Sequence, residues 1–283
     1  MGYQTRKLKE FMDGNNGQAI HTIMQDPIVK QAMRQGSWIA GGMVRQILMG
    51  HDLKQYFWPE GGLNLRGDID IFSSSEANAK KISEIKKMHP SQGGFASECS
   101  IDVSSLAYVK VQIVNDPTLC YDSVEKCLDA FDFTNCKGAI VDDLVVFDED
   151  LISLESERRL RITNSLSPFM GSRVIKYMKH RGMTGITEDS VPHLTVWLIR
   201  AAATNFPGFN TRHVAGIKHA VMNLSKVEVM RQSDHLFFLG KWTDYINVGS
   251  QNYGPGRTIE VDWAAHEMSL RSRVKATPQS VPK

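Results

Sequence analysis

Between Asp26 and Gly36 apolar residues return at helical spacing, and the stretch carries its own boundaries: Asp26 as cap, Pro27 in the first turn and Gly36 as the stop. Ser37-Trp38-Ile39-Ala40 then reads as a short strand. It runs into Gly41-Gly42, after which Met43, Val44, Ile47 and Leu48 line one face of a helix. The local order is strand, double glycine, helix.

A polar and aromatic loop over 51–65 leads to Arg66-Gly67-Asp68-Ile69-Asp70-Ile71-Phe72, where acidic and apolar residues alternate with the period of a strand. A helix capped by Ser75 is expected over 75–88, with Ala77, Ile82 and Ile85 on its apolar side. Strand patterns return at 101–103, 107–114, 130–134 and 138–147, with a helix over 121–128 between them. Beyond Leu151 the pattern changes to helices over 166–181, 191–204, 213–223 and 259–273, with few strand candidates among them. This shift divides the chain into an α+β domain over 1–150 and a helical domain over 151–283, its last residues, 275–283, expected to fray. No internal repeat is visible.

The composition is that of an ordinary globular chain of 283 residues, 42% hydrophobic and 23% charged, which excludes disorder and collagen-like repeats. A formal net charge of +2 does not mark a nucleic-acid binder, so any basic surface has to come from local clustering. No run is long and apolar enough for a membrane span, and 1–9 lacks a signal-peptide core; the expectation is a cytoplasmic protein without a membrane partner. Cys99, Cys120, Cys127 and Cys136 are too widely spaced for a zinc knuckle and are expected as free thiols.

Asp68 and Asp70 are the sharpest chemical feature. Two apart on a strand, they project from one face, and a divalent cation is the usual way to make two such carboxylates tolerable together. Alone, Asp-x-Asp reads more simply as a pair of solvent-facing acids. Its company changes that reading. A strand that ends in Gly41-Gly42 offers backbone N–H groups with no side chain in the way of a phosphate, and Arg45, one turn into the following helix, can act as a bidentate donor to the same anion.

Trp38-Ile39-Ala40-Gly41-Gly42-Met43-Val44-Arg45 followed by Asp68-Ile69-Asp70-Ile71 resembles the nucleotidyltransferases of the DNA polymerase beta superfamily, within it the poly(A) polymerase and CCA-adding branch. Two departures are visible: Gln46 stands where that branch usually has an acid, and the loop between the two motifs is lengthened over 54–62. The superfamily implies a third carboxylate on a later strand. Asp132, between Phe131 and Phe133, is the leading candidate, with Asp142 and Asp143 as alternatives. The stretch from Val111 to Cys136 resembles short nucleotidyltransferase-like proteins of large viruses and phages.

Related enzymes carry an Arg-x-x-Lys-Tyr-like helix that contacts the incoming nucleotide, and Arg173, Lys176 and Tyr177 match it here. Over 151–183 seven Lys or Arg face two acids, and Arg173, Lys176 and Lys179 or His180 share one helical face. The resemblance thus implies a polymerase-beta-like domain followed by a helical domain. In it Asp68, Asp70 and Asp132 would hold two Mg²⁺ ions, with Mn²⁺ as a substitute. Gly41, Gly42, Arg45, Arg173 and Lys176 would bind the NTP. The implied reaction moves a nucleoside monophosphate to an acceptor hydroxyl, an RNA 3′ end, with release of pyrophosphate. A nucleotidyl-transferring toxin acting on a protein or tRNA, and an inactive nucleotide-binding module, are the alternatives.

Overall fold

A computed structural model describes residues 2–13, 16–59, 66–86, 88–91, 95–103, 107–164 and 170–205. The expected helices over 213–223 and 259–273, and the tail, lie outside the described residues. The chain begins with strand β1 (Tyr3–Lys7) and helices α1 (Gly17–Gln25) and α2 (Pro27–Arg34), followed by β2 (Ser37–Ala40) and α3 (Gly42–Leu48). The expected boundaries of α2 hold for the expected reasons: the Asp26 carboxylate accepts from the Ile28 N–H at 2.8 Å, and Gly36 takes φ +67° beyond the helix end.

After α4 (Leu53–Phe57) come β3 (Ile69–Ser73), α5 (Glu76–Ser83), β4 (His89–Pro90), β5 (Ala96–Val103), β6 (Ala107–Val114) and α6 (Val124–Asp129). Then β7 (Gly138–Val141) and β8 (Leu144–Asp148) form a hairpin whose turn holds Asp142 at φ +53°, so the single strand pattern over 138–147 is two strands. Helix α7 (Leu151–Ser156), β9 (Arg159–Leu160), α8 (Met170–His180), β10 (Gly185–Ile186) and α9 (Val191–Asn205) follow. β9 and β10 pair in parallel, a small sheet in the region expected to be helical.

Eight strands form one mixed sheet in the order β1-β8-β7-β2-β3-β6-β5-β4. Only β3 and β6 run parallel within it; the other neighbours are antiparallel. Alternation divides its two faces. Ile39, Ile69, Ile71, Val111, Ile113, Ile140, Val145 and Phe147 join a large buried cluster with Ile20, Ile23, Ile28, Val29, Met43 and Ile47 from α1, α2 and α3. The opposite face carries a smaller cluster around Trp38, Ala40, Ala139, Val146, Cys127 and Leu128, with Phe72 and Phe131 packed against it. Helices therefore cover one face thickly and the other thinly. Leu151 belongs to the large cluster, so the chain passes residue 150 without leaving the core.

Two expected elements differ. Residues 130–134 are not a strand, because the Ala130 N–H bonds back to Lys126 and Cys127 and finishes α6. Phe133 makes only an isolated bridge to Ile162 before a turn over Thr134–Cys136. Conversely, the loop after His51 contains α4, capped by the Asp52 carboxylate at 2.8 Å from the Lys54 N–H and buried at Leu53, Tyr56 and Phe57. Among the described residues no helix is long and apolar enough to cross a membrane.

Candidate active site

β3 pairs with β2 and β6, and its alternation buries Ile69 and Ile71 under the helices and sends Asp70 to the thinly covered face. Asp70 stands opposite Ala40 on β2 and Gln112 on β6, with Asp68 immediately before the strand. Burial and the Asp68 charge hold the Asp70 carboxyl well above its ordinary range, against the pull of Lys110, Arg173 and Lys176. A carboxylate half enclosed beside a second one is a donor set that fits a divalent cation, whose charge would relieve this strain.

Gly41, between β2 and α3, takes φ +93°, a conformation that a side chain would strain. A carbon placed on it would meet Phe131 Cε2 at 3.5 Å and Asp70 Oδ2 at 3.9 Å, so the turn lies directly beside the carboxylates. Its N–H, however, already donates to the Gly138 carbonyl at 2.9 Å. At Gly42, an expected phosphate contact, a carbon would stand 2.4 Å from the Tyr56 hydroxyl. The same ring rules out a side chain at Gly67, where the nearest ring carbon would be at 2.2 Å. Tyr56 is thus packed over both glycines and donates to the Asp68 carbonyl at 3.3 Å. Burial, with the Asp68 and Asp70 charges behind it, pushes its hydroxyl well above the ordinary tyrosine value.

Arg45, the other expected phosphate ligand on α3, is buried. Its side chain is 3% exposed and forms a buried ion pair with Glu155. The guanidinium lies 5.2 Å from the centre of the Tyr177 ring. Glu155 takes a second bond, 2.6 Å from Asn135 Nδ2, and the Tyr177 hydroxyl meets Cys136 Sγ at 2.5 Å. Tyr177 packs on Phe133 with ring centres 5.2 Å apart. Arg45 therefore ties α3 to α7 and α8 beneath the site.

Asp132, the expected third metal ligand, is buried and ion-paired with Arg173. Among the described residues no group of three carboxylate, histidine or cysteine side chains comes together at metal-binding separation. Asp142 and Asp143 sit in the β7–β8 turn, at the end of β7 away from Gly138 and the site. Asp132 anchors Arg173, whose charge reaches Asp70 together with that of Lys176. Burial lowers the Lys176 ammonium, Arg181 and Arg173 repel it, and Asp68 supports it. Arg181 lies 5.1 Å over the Tyr56 ring. Helix α8 thus brings cations to the carboxylate pair, a placement suited to an anionic ligand between them.

Sequence reasoning missed Tyr56, Glu155 and Lys110. Lys110 and Gln112 had a legible signal, alternating with Val109, Val111 and Ile113 on a strand. Glu155 had none, since nothing in its neighbourhood distinguishes it from a solvated helix acid.

A sequence profile described as Gabija anti-defense 2 family protein (Gad2) matches residues 5–158, more than half of the chain. No curated protein matches the sequence significantly. Among solved structures, a CCA-adding enzyme in its apo form II is similar with a TM-score of 0.50 at 14% identity, over 90% of this chain and 60% of that one. A Thermotoga maritima CCA-adding enzyme complexed with tRNA gives 0.48 at 15% identity, over 90% and 58%. A CCA-adding enzyme with ATP gives 0.48 at 16% identity, over 90% and 58%. The chain spans about three fifths of the length of these proteins, and at such identities the likeness is one of fold.

Proposed function

This chain belongs to the Gabija anti-defense 2 family, and we propose that it is a nucleotidyltransferase, moving a nucleoside monophosphate from an NTP to an acceptor hydroxyl with release of pyrophosphate. The observation that carries this reading is the facing arrangement of Asp68 and Asp70 at the start of β3 and of Arg173 and Lys176 on α8. Carboxylates on one side and cations on the other frame a place for a polyphosphate.

Asp68 and Asp70 would hold a divalent cation, Mg²⁺ or Mn²⁺, which supplies a Lewis acid to the acceptor hydroxyl and to the phosphate oxygens. Arg173, oriented by Asp132, would grip the triphosphate in forked fashion. Lys176 would add a point charge that gains strength as the site closes around an anion. Gly41 keeps the approach to Asp70 clear of side-chain atoms. Arg45 has a positioning role: with Glu155 it holds Tyr177, and hence α8, against α3.

The acceptor in this reading is an RNA 3′ hydroxyl; the CCA-adding enzyme of similar fold that is complexed with tRNA accords with it. The family description favours a second reading, in which the hydroxyl belongs to a component of the Gabija defence. Incubating the full chain with each labelled NTP, Mg²⁺ and either RNA or an extract containing that defence separates the two by which macromolecule takes up label. Asp70→Asn should lower transfer by at least about a hundredfold, since one group acting on transition-state charge is removed. Unchanged transfer in that variant, or no label on any acceptor with any NTP, would overturn the proposal.

A further inference from the structure

The carboxylate face extends beyond Asp68 and Asp70. On β6 Gln112 stands opposite Asp70, and on β5 Glu98 stands opposite Gln112, so the three lie in a row across neighbouring strands. Gln112 Nε2 donates to Glu98 Oε1. Lys110, two residues earlier on β6, places its ammonium 3.3 Å from Asp68 Oδ2 and 3.7 Å from Glu98 Oε1. One cation thus bridges Asp68 and a carboxylate that is tethered from the other side.

We propose that Lys110 is the resident counter-ion of the Asp68–Asp70 pair and that a divalent cation displaces it on to Glu98. The inference rests on the reading of that pair as the metal site. Three features carry it. The ammonium lies against an oxygen that a metal would take, so both cannot hold it at full strength. Lys110 is 45% exposed, which leaves its long side chain free to swing, whereas Gln112 fixes Glu98 in place. Finally, Glu98 is within reach of the ammonium already, so the exchange keeps Lys110 paired at both of its ends and leaves no charge stranded.

The exchange makes Glu98 act on the metal through Lys110, and a double-mutant cycle separates this from a direct charge effect. Mn²⁺ is titrated into the full chain without nucleotide, and free Mn²⁺ is followed by electron paramagnetic resonance for the parent, Lys110→Met, Glu98→Gln and the double variant. Lys110→Met should tighten Mn²⁺ binding by about fivefold, the upper range for a partly exposed ion pair, and Glu98→Gln should weaken it by a few fold. In the Lys110→Met background Glu98→Gln should have no effect. Equal weakening by Glu98→Gln in both backgrounds would overturn the exchange, as would an unchanged affinity in Lys110→Met. Asp70→Asn in the Lys110→Met background tests the underlying reading separately. Mn²⁺ bound as before in that variant, or not bound by any of the proteins, would overturn the metal site and the exchange with it.

Discussion

Replacing Glu155 with glutamine keeps the shape of the side chain and removes only its charge. Arg45 and Glu155 are 3% and 2% exposed, so the guanidinium left behind could not turn to water for a new partner. Its Nε already has no hydrogen-bond partner, which leaves no spare contact to take up the load. Breaking such a pair from one side costs about 3–5 kcal/mol, most of it the penalty of an uncompensated buried charge. For a chain of this size each kcal/mol moves the melting temperature by roughly 2–4 °C, so Glu155→Gln should melt roughly 10 °C below the parent. Urea unfolding followed by tryptophan fluorescence gives the same difference as a free energy. The double variant Arg45→Met, Glu155→Leu should recover most of the loss, because two apolar groups of similar volume need no partner. A loss below about 1 kcal/mol in Glu155→Gln would mean that the pair behaves as a surface ion pair, and the role of Arg45 in holding α8 would fall with it.

The packing of Tyr56 predicts a selective rescue: Gly42→Ala should be destabilising, and Tyr56→Phe should restore most of the loss, since removal of the hydroxyl leaves the next ring atoms at 3.2 and 3.4 Å. Gly67→Ala meets the ring itself at 2.2 Å and should not be rescued, and thermal melts of the four variants decide. Burial raises the Asp148 carboxyl above its ordinary value of 3.8. A group that binds its proton more tightly when folded gives up stability as pH rises from the unfolded value through the folded one. Asp148→Asn should therefore be as stable as the parent below that window and more stable above it, which a series of melts against pH checks. Burial also pushes the Cys127 thiol up to about 12, and Cys99, Cys120 and Cys136 above their ordinary value. Native protein at pH 8 should react with a thiol reagent far more slowly than denatured protein, and rapid labelling of Cys127 would contradict its enclosure.

Elements with a local cause were legible. Asp26, Pro27 and Gly36 bound α2 by chemistry acting within a few residues, and the alternation in β3 put Asp70 on the correct face before any neighbour was known. Contacts between distant parts of the chain were not. Phe131-Asp132-Phe133 has the alternation of a strand, but its conformation is set by the end of α6 and by Arg173, 41 residues on. The side chains packed against Arg45 and Gly42, those of Glu155 and Tyr56, lie 110 and 14 residues away and leave no mark nearby. The Asp-x-Asp pair and the cations of α8 were visible as residues; that they face each other came only from the fold.

Strand β1 lies at one edge of the sheet and pairs only with β8, Tyr3 opposite Asp148. The first strand made is thus held by the last strand of the sheet to be made. At translation rates of about 5–20 residues per second, β1 waits on the order of ten seconds before its partner exists, with both of its hydrogen-bonding edges unpaired. The waiting segment, Tyr3-Gln4-Thr5-Arg6-Lys7, is short, polar and closes on two cations. Such a strand is a poor template for pairing with another nascent chain, so the charges at its end protect the protein during synthesis, before there is a sheet for them to belong to.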